Sequence, residues 1–346
     1  MSTTPSSAHS STQPTPTASQ AAPTPTGSTG GLPPGFMRNL GLVIALLLLC
    51  VVGAVTAGDR FTSVDNLMTI LRLASVLGVV SVGMTFVITG GGIDLSVGAV
   101  LALASVWATT TGTQAMADSF GWPVMVFTAV LVGTLCGVIS GVLIAYGKVV
   151  AFIATLAMLA SARGLAEILA NRKTQIIDNE GFLSFFRAEP LGVPVIVIMF
   201  VLVAAGGWFL LNRTTFGRRT FAVGGNPEAA RLAGIKVQRH TVYLYALLGC
   251  CAGIAAVMLM SRTTTGSSTH GTLLELDAIA AVVIGGTLLQ GGRGTVVGTI
   301  FGVLIFMTLT NVFTLNNLST SAQAVAKGII IVAAVLLQQR VARRSG

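Results

Sequence analysis

The chain has 346 residues, of which 53 % are Ala, Val, Ile, Leu, Met, Phe, Trp, Tyr or Cys and only 9 % are charged. A soluble domain carries about a quarter of its residues as charges, so a soluble globular protein is excluded. A mean hydropathy of +0.85, in repeated apolar runs near the length of a bilayer span, defines an all-α polytopic membrane protein. The net charge of +9 does not point to nucleic acid. Its Lys and Arg residues lie in short connections between apolar runs, with no basic stripe or aromatic interleaving.

Residues 1–35 are Ser, Thr, Pro, Ala, Gln and Gly with scarcely anything apolar. Such a stretch buries too little surface to offset its ordering entropy, so a disordered tail over 1–37 is expected. It lacks the basic start and short apolar core of a secretory signal. Ten apolar runs follow, at 40–57, 70–88, 95–111, 123–146, 150–170, 193–211, 241–260, 277–290, 296–313 and 322–338. Several fall short of the ~20 residues of a straight span, and 277–313 reads as two short spans or as a span plus a re-entrant piece. The expected transmembrane domain is 38–340, with a long polar loop at 212–240 and a basic end at 341–346.

With both termini on one side, the connections on that side hold twelve Lys and Arg against only Asp94 and Glu228. The opposite connections hold six basic and eight acidic residues. That asymmetry predicts an even number of spans with both ends cytoplasmic. Cys50, Cys136, Cys250 and Cys251 all fall inside apolar runs, without CxxC spacing, and read as small hydrophobes. His9, His240 and His270 are scattered and offer no metal motif.

Small residues recur every fourth position at Gly133, Gly137 and Gly141 and again at Gly294, Gly298 and Gly302. On a helix they form a flat groove for a neighbouring backbone, and packing within the subunit is the ordinary explanation. The stretch Thr89-Gly90-Gly91-Gly92-Ile93-Asp94-Leu95-Ser96 permits a sharp break beside a carboxylate. Asp94 either caps a helix starting at Leu95 or belongs to a gate or pathway. Asn226 to Gly234 reads as a short helix marked at both ends. Asn226 is the cap, Pro227 the first helical residue, Glu228 faces the positive dipole end, and Gly234 is the left-handed stop. Two turns are unstable alone in water, so this helix rests on its own membrane domain or on a soluble partner. Glu275 and Asp277 open another apolar run and either cap a helix at the outer surface or contact a ligand. Arg163 and Glu167 stand at i, i+4 and are placed to neutralise one another. Lys327 is the most isolated buried charge. No GxxxxGK[ST], GxGxxG or GxSxG occurs, and no clustered acid, base or metal set suggests an enzyme.

At these residues the sequence resembles the membrane permease subunit of ribose-type sugar importers of the ATP-binding-cassette class. The resemblance rests on Gly83-Met84-Thr85, Gly91-Gly92-Ile93-Asp94-Leu95-Ser96-Val97-Gly98, Ala151-Phe152-Ile153-Ala154-Thr155-Leu156 and Gly224-Gly225-Asn226-Pro227-Glu228-Ala229-Ala230-Arg231-Leu232-Ala233-Gly234-Ile235. It continues through Glu275-Leu276-Asp277-Ala278-Ile279-Ala280-Ala281-Val282-Val283 into Gly285-Gly286-Thr287. It implies about ten transmembrane helices, similar to cobalamin-type (type II) importers, in a bacterial inner membrane. It also implies pairing with a second copy, or with a different permease, and a translocation path between the two. A cytoplasmic ATPase, commonly with two cassettes in one chain, would use ATP and Mg; this chain itself would bind no cofactor. A secreted sugar-binding protein would deliver the monosaccharide. On this likeness Asn226, Pro227, Glu228, Ala229, Ala230 and Gly234 form the ATPase-coupling segment. Thr85, Thr89, Asp94, Ser96, Glu275 and Asp277 are the pathway or gate candidates. Importers of nucleosides or branched-chain amino acids have related membrane subunits, and an ion-driven secondary transporter is the alternative from another class.

Overall fold

The computed structural model describes residues 34–344 and, in isolation, Thr3. The expected disordered stretch therefore lies almost wholly outside the described residues. In chain order the elements are α1 (Pro34–Ala57), α2 (Asp59–Thr62), α3 (Val64–Thr89), α4 (Val97–Ala108), α5 (Thr111–Phe120), α6 (Pro123–Ala145), α7 (Ala151–Leu169) and strand β1 (Gln175–Ile176). They continue as α8 (Glu180–Arg187), α9 (Val195–Arg213), α10 (Thr215–Gly225), α11 (Pro227–Leu232), α12 (Val237–Thr263), strand β2 (Thr265–Gly266), α13 (Leu274–Ile284), α14 (Val296–Leu315) and α15 (Thr320–Arg344). The two strands form one antiparallel pair, with Gln175 opposite Gly266 and Ile176 opposite Thr265.

Among the described residues seven helices are long and apolar enough to cross a bilayer: α1 from Leu40, α3, α6, α7, α9, α12 and α14. Three of the ten apolar runs are not among these seven: the run at 322–338, which lies in α15, and the runs at 95–111 and 277–290. The run at 95–111 is the 12-residue α4 and the run at 277–290 is the 11-residue α13, about 18 and 16 Å long. Neither helix alone spans a ~30 Å hydrocarbon core.

Polar side chains set many of the helix starts. Ser63 accepts from Asn66 N at the head of α3, Asn179 from Phe182 N at α8, and Thr295 from Gly298 N at α14. Pro123 occupies the first turn of α6, where its missing N–H costs nothing. The core sits around α3, which is 83 % buried over its apolar window, whereas α1 is 11 % buried and lies at the rim.

The tightest seam joins α6 to α12. Gly133, Gly137 and Gly141 bring α6 against backbone atoms of Gly249, Gly253, Tyr245 and Val242, so closely that a Cβ on Gly141 would lie 2.8 Å from Val242 Cα. Gly249 and Gly253 answer from α12 with the same four-residue spacing. Of the second glycine set, Gly298 and Gly302 lie on α14 and pack against the Gly285 and Ala281 carbonyls of α13. Gly294 does not belong to that helical groove. Thr295 caps α14, the helix begins at Val296, and Gly294 packs instead on the Thr89 side chain.

Candidate functional site

The two half-length helices meet, and α12 gives the depth at which they do so. This 27-residue helix is about 40 Å long. Its Tyr245 hydroxyl donates to the Ile93 carbonyl over 3.1 Å, so the chain entering α4 lies about 12 Å along α12 from Val237. At the other end of α4, Gly266 packs on Ser105 and Thr109, level with the end of α12, where Thr263 bonds the Thr265 carbonyl. From there the chain descends along α4. His270 Nδ1 lies 3.2 Å from Ser105 Oγ, and Gly271 packs on Gly98. Residues 264–273 thus re-enter along α4 by about 16 Å, half of a bilayer core. At that depth α13 begins. The N-termini of α4 and α13 face each other across the Gly98–Gly271 contact.

Each of these positive helix ends carries a carboxylate. Asp94 Oδ1 accepts from Ser96 N at 2.6 Å and from Ser96 Oγ at 2.7 Å. Helix α4 starts at Val97, not at Leu95, and Asp94 bridges the turn before it. Glu275 lies in the first turn of α13 and is 8 % exposed. Its Oε2 has no hydrogen-bond partner among the described residues and abuts Gly98. Glu275 therefore does not cap an outer surface; Leu273 occupies the cap position with φ 64°. Asp277 is drawn elsewhere. It accepts from Lys327 Nζ at 3.1 Å, and the same ammonium lies 4.9 Å from the Phe306 ring centroid. Lys327 is thus a paired charge rather than an isolated one. Arg163 and Glu167 do not neutralise each other. Arg163 donates to the Ser268 and His270 carbonyls, pinning the re-entrant segment, and Glu167 pairs with Arg172 at 3.5 Å.

A second meeting point lies at the opposite end of α13. Gly292 N donates to the Thr89 carbonyl over 2.9 Å, joining the break after α3 to the break after α13. Gly224 wedges against both, and a Cβ on it would strike the Thr89 carbonyl and come within 2.7 Å of Gly292 N. Gly91, Gly291 and Gly292 have φ of 84°, 85° and 74°, a conformation open to glycine and strained for other residues. Three chain segments thus touch backbone to backbone with no side chain between them. Nearby, the buried Thr89 hydroxyl has no hydrogen-bond partner among the described residues. Thr85 shares a 2.7 Å hydrogen bond with Thr299, fastening α3 to α14.

From this joint the chain runs straight into α11. Asn226 Oδ1 accepts from Ala229 N at 3.0 Å, Pro227 takes the first helical position, and Gly234 has φ 82°. Ala230 is buried and seats the helix, while Pro227, Glu228 and Ala229 are exposed. Glu228 and Arg231 pair at 2.6 Å on the exposed face, and the Arg231 hydrogen bond holds the Glu228 carboxyl below the usual carboxylate range. A cleft of about 660 Å³ flanks α11, lined by Glu228, Arg231, Lys236 and Arg239 among others.

The structure therefore gathers Asp94, Ser96 and Glu275 at the half-helix crossing, places Thr89 at the glycine joint, and leaves Thr85 and Asp277 in separate packing contacts. Sequence reading missed the re-entrant segment. Its one signal is a dense run of hydroxyl residues from Thr264 to Thr272, which looks like an ordinary surface loop. Among the described residues no group of three His, Cys, Asp or Glu side chains is placed to hold a metal.

Long apolar helices interrupted at mid-depth, with carboxylates at the breaks, are the architecture of a solute-transporting membrane protein. Residues 66–335 match the family described as branched-chain amino acid transport system / permease component, and the chain belongs to that family. It is 44 % identical over 312 residues to "Ribose import permease protein RbsC" of Bacillus subtilis (strain 168), covering 88 % of this chain and 94 % of that protein. The protein of the same name from Escherichia coli (strain K12) is 38 % identical over 309 residues, covering 88 % and 94 %. "Xylose transport system permease protein XylH" of Escherichia coli (strain K12) is 32 % identical over 378 residues, covering 89 % and 95 %. No solved structure matches the chain.

Proposed function

We propose that this chain is the permease subunit of an ATP-driven, binding-protein-dependent importer of a monosaccharide. The observation that carries the reading is α11, an exposed two-turn helix capped at both ends and rooted in a glycine joint that touches the breaks of both half-helices. The printed names of the relatives, two ribose permeases and one xylose permease, support a pentose or a similar sugar over an amino acid or nucleoside.

In this reading ten segments cross the inner membrane: α1, α3, residues 90–96 with α4, α6, α7, α9, α12, residues 264–273 with α13, α14 and α15. Both termini are cytoplasmic, as the Lys and Arg distribution supports, and the fold is of the cobalamin-importer type. A second permease copy, a cytoplasmic ATPase using ATP and Mg, and a secreted sugar-binding protein complete the assembly. Asn226, Pro227, Glu228, Ala229, Ala230 and Gly234 form the knob on which the ATPase docks. ATP draws the cassettes together, α11 follows, and the displacement enters the membrane domain through Gly224. Alternating access then follows as a shift between two facing states.

Two measurements test this. Uptake of labelled pentoses and hexoses is followed in cells expressing the chain with its partners, with ATP depleted in one arm and the proton gradient collapsed at constant ATP in the other. Loss only on ATP depletion is expected; loss only with the gradient would make the chain a secondary transporter. Glu228→Lys turns the Glu228–Arg231 pair into a repulsion and puts a cation on the positive helix end. Gly234→Pro forces φ to about −65° where the stop requires a positive value. Both variants are expected to reach the membrane in normal amount and to lose uptake, and normal uptake by both would remove α11 from the coupling role.

A further inference from the structure

The re-entrant segment 264–273 has an unusual setting. It is bounded by two non-glycine residues in the left-handed region, Thr264 at φ 58° and Leu273 at φ 64°, a strain that persists only where the surroundings enforce it. Those surroundings are visible. The Thr264 carbonyl accepts from Ile177 N at 3.1 Å, His270 lies on Ser105, and Arg163 reaches from α7 to two carbonyls of the segment. One edge nevertheless stays open: Thr269 and Thr272 are exposed, and Ser267, Ser268 and His270 are half-buried. Polar, non-helical backbone at this depth does not face lipid; it lines water or meets protein. Behind the open edge stands Glu275, nine-tenths buried with one carboxylate oxygen unpartnered.

We propose that this crossing is the constriction of the translocation path and the place where the permease itself touches a polyhydroxylated solute. The proposal rests on the reading of the chain as a sugar permease. Thr269 and Thr272 offer hydroxyl oxygens at the rim. Thr272 Oγ1 donates to the Thr269 carbonyl at 2.7 Å, so its hydrogen is committed, while Thr269 Oγ1 and Ser267 Oγ share a 2.9 Å hydrogen bond in which either hydroxyl donates. Thr272 therefore presents an acceptor, which suits a ligand rich in O–H donors. Glu275 supplies the strongest acceptor, uncovered when Gly98 and Gly271 part. Their side-chain-free contact lets the two half-helices slide or separate without a rotamer barrier.

The test uses the full chain with its native cysteines replaced, assembled with its partners in membranes. Thr269→Cys and Thr272→Cys are expected to react with a charged, membrane-impermeant thiol reagent, whereas Leu202→Cys on the apolar surface of α9 is not. Failure of both threonine positions to react overturns the proposal. Glu275→Gln keeps the shape but removes the charge and turns one of the two acceptor oxygens into a donor. It is expected to cut the maximal rate of ribose or xylose uptake by about tenfold or more, the loss of one hydrogen bond to a charged acceptor. Labelling of Thr272→Cys at the parent's rate, with Leu202→Cys still unreactive in the same background, reports that the crossing is still folded. Unchanged uptake with unchanged labelling overturns the role of Glu275. ATP-independent uptake by the parent chain would instead overturn the importer reading, separately from the labelling result.

Discussion

Gly249→Val is expected to leave little folded protein in the membrane. Lipid tails are as apolar as the helix surfaces, so helix association there depends on close packing rather than on escape from water. The α6–α12 seam reaches that closeness by setting glycines of each helix directly against the backbone of the other. A Cβ on Gly249 would lie 3.0 Å from the Gly133 carbonyl carbon and 3.1 Å from Gly137 Cα, with the Gly133 carbonyl oxygen closer still. Backbone, unlike a flexible side chain, cannot turn aside. The two helices must move apart, and a gap of even 1 Å forfeits a quarter to a half of each dispersion contact along the seam. The cost falls at the upper end of the about 1–3 kcal/mol usual for overpacking, or beyond it. Gly206→Val on α9 meets nothing within 4 Å and serves as the matched control. The monodisperse yield after detergent extraction and the thermal unfolding midpoint provide the readout. Equal midpoints for the two variants would mean that the seam is not what holds α12 in place.

What the sequence discloses and what it hides follow a physical division. Hydropathy reveals apolar length, so the long spans from α1 to α14 stand out. Caps are local, with donor and acceptor within four residues, so α11 is legible from Asn226, Pro227 and Gly234 alone. The half-helices are not legible in that way, because hydropathy records apolar content and not where a helix begins. The runs at 95–111 and 277–290 look like spans although α4 and α13 cover only part of them. Asp94 and Glu275 stand out as costly charges, and both mark positive ends of half-helices, but nothing local says that those ends meet. The polar stretch 264–273 reads as a surface loop until Ser105 and Gly98 are seen beside it. Lys327 reads as isolated because its partner Asp277 is remote in sequence. For the same reason the i, i+4 spacing of Arg163 and Glu167 misleads: Arg163 bonds two carbonyls of the re-entrant segment instead. The glycine joint is the extreme case, since its three segments come from distant parts of the chain and no side chain advertises the contact.

That joint yields the sharpest functional expectation. Gly224→Ala places a methyl group against the Thr89 carbonyl and 2.7 Å from Gly292 N, across the 2.9 Å hydrogen bond between them. Either that bond breaks or the root of α11 is pushed off the two breaks, and both outcomes disconnect α11 from the half-helices. The neighbouring Gly225→Ala makes the same chemical change one residue on, where the new methyl finds only Gly292 Cα at 4.0 Å. If the joint carries the motion of α11 inward, the two alanines separate completely. Gly224→Ala is expected to assemble with the ATPase and permit ATP hydrolysis while uptake falls about tenfold or more, within the 1–3 kcal/mol usual for coupling between sites. Gly225→Ala should transport at the parent rate. Hydrolysis and uptake measured on the same membranes distinguish lost coupling from lost assembly, since a variant that fails to assemble shows neither. Equal uptake by the two variants would show that α11 acts on the membrane domain by another route, of which its contacts with the start of α12 are the nearest.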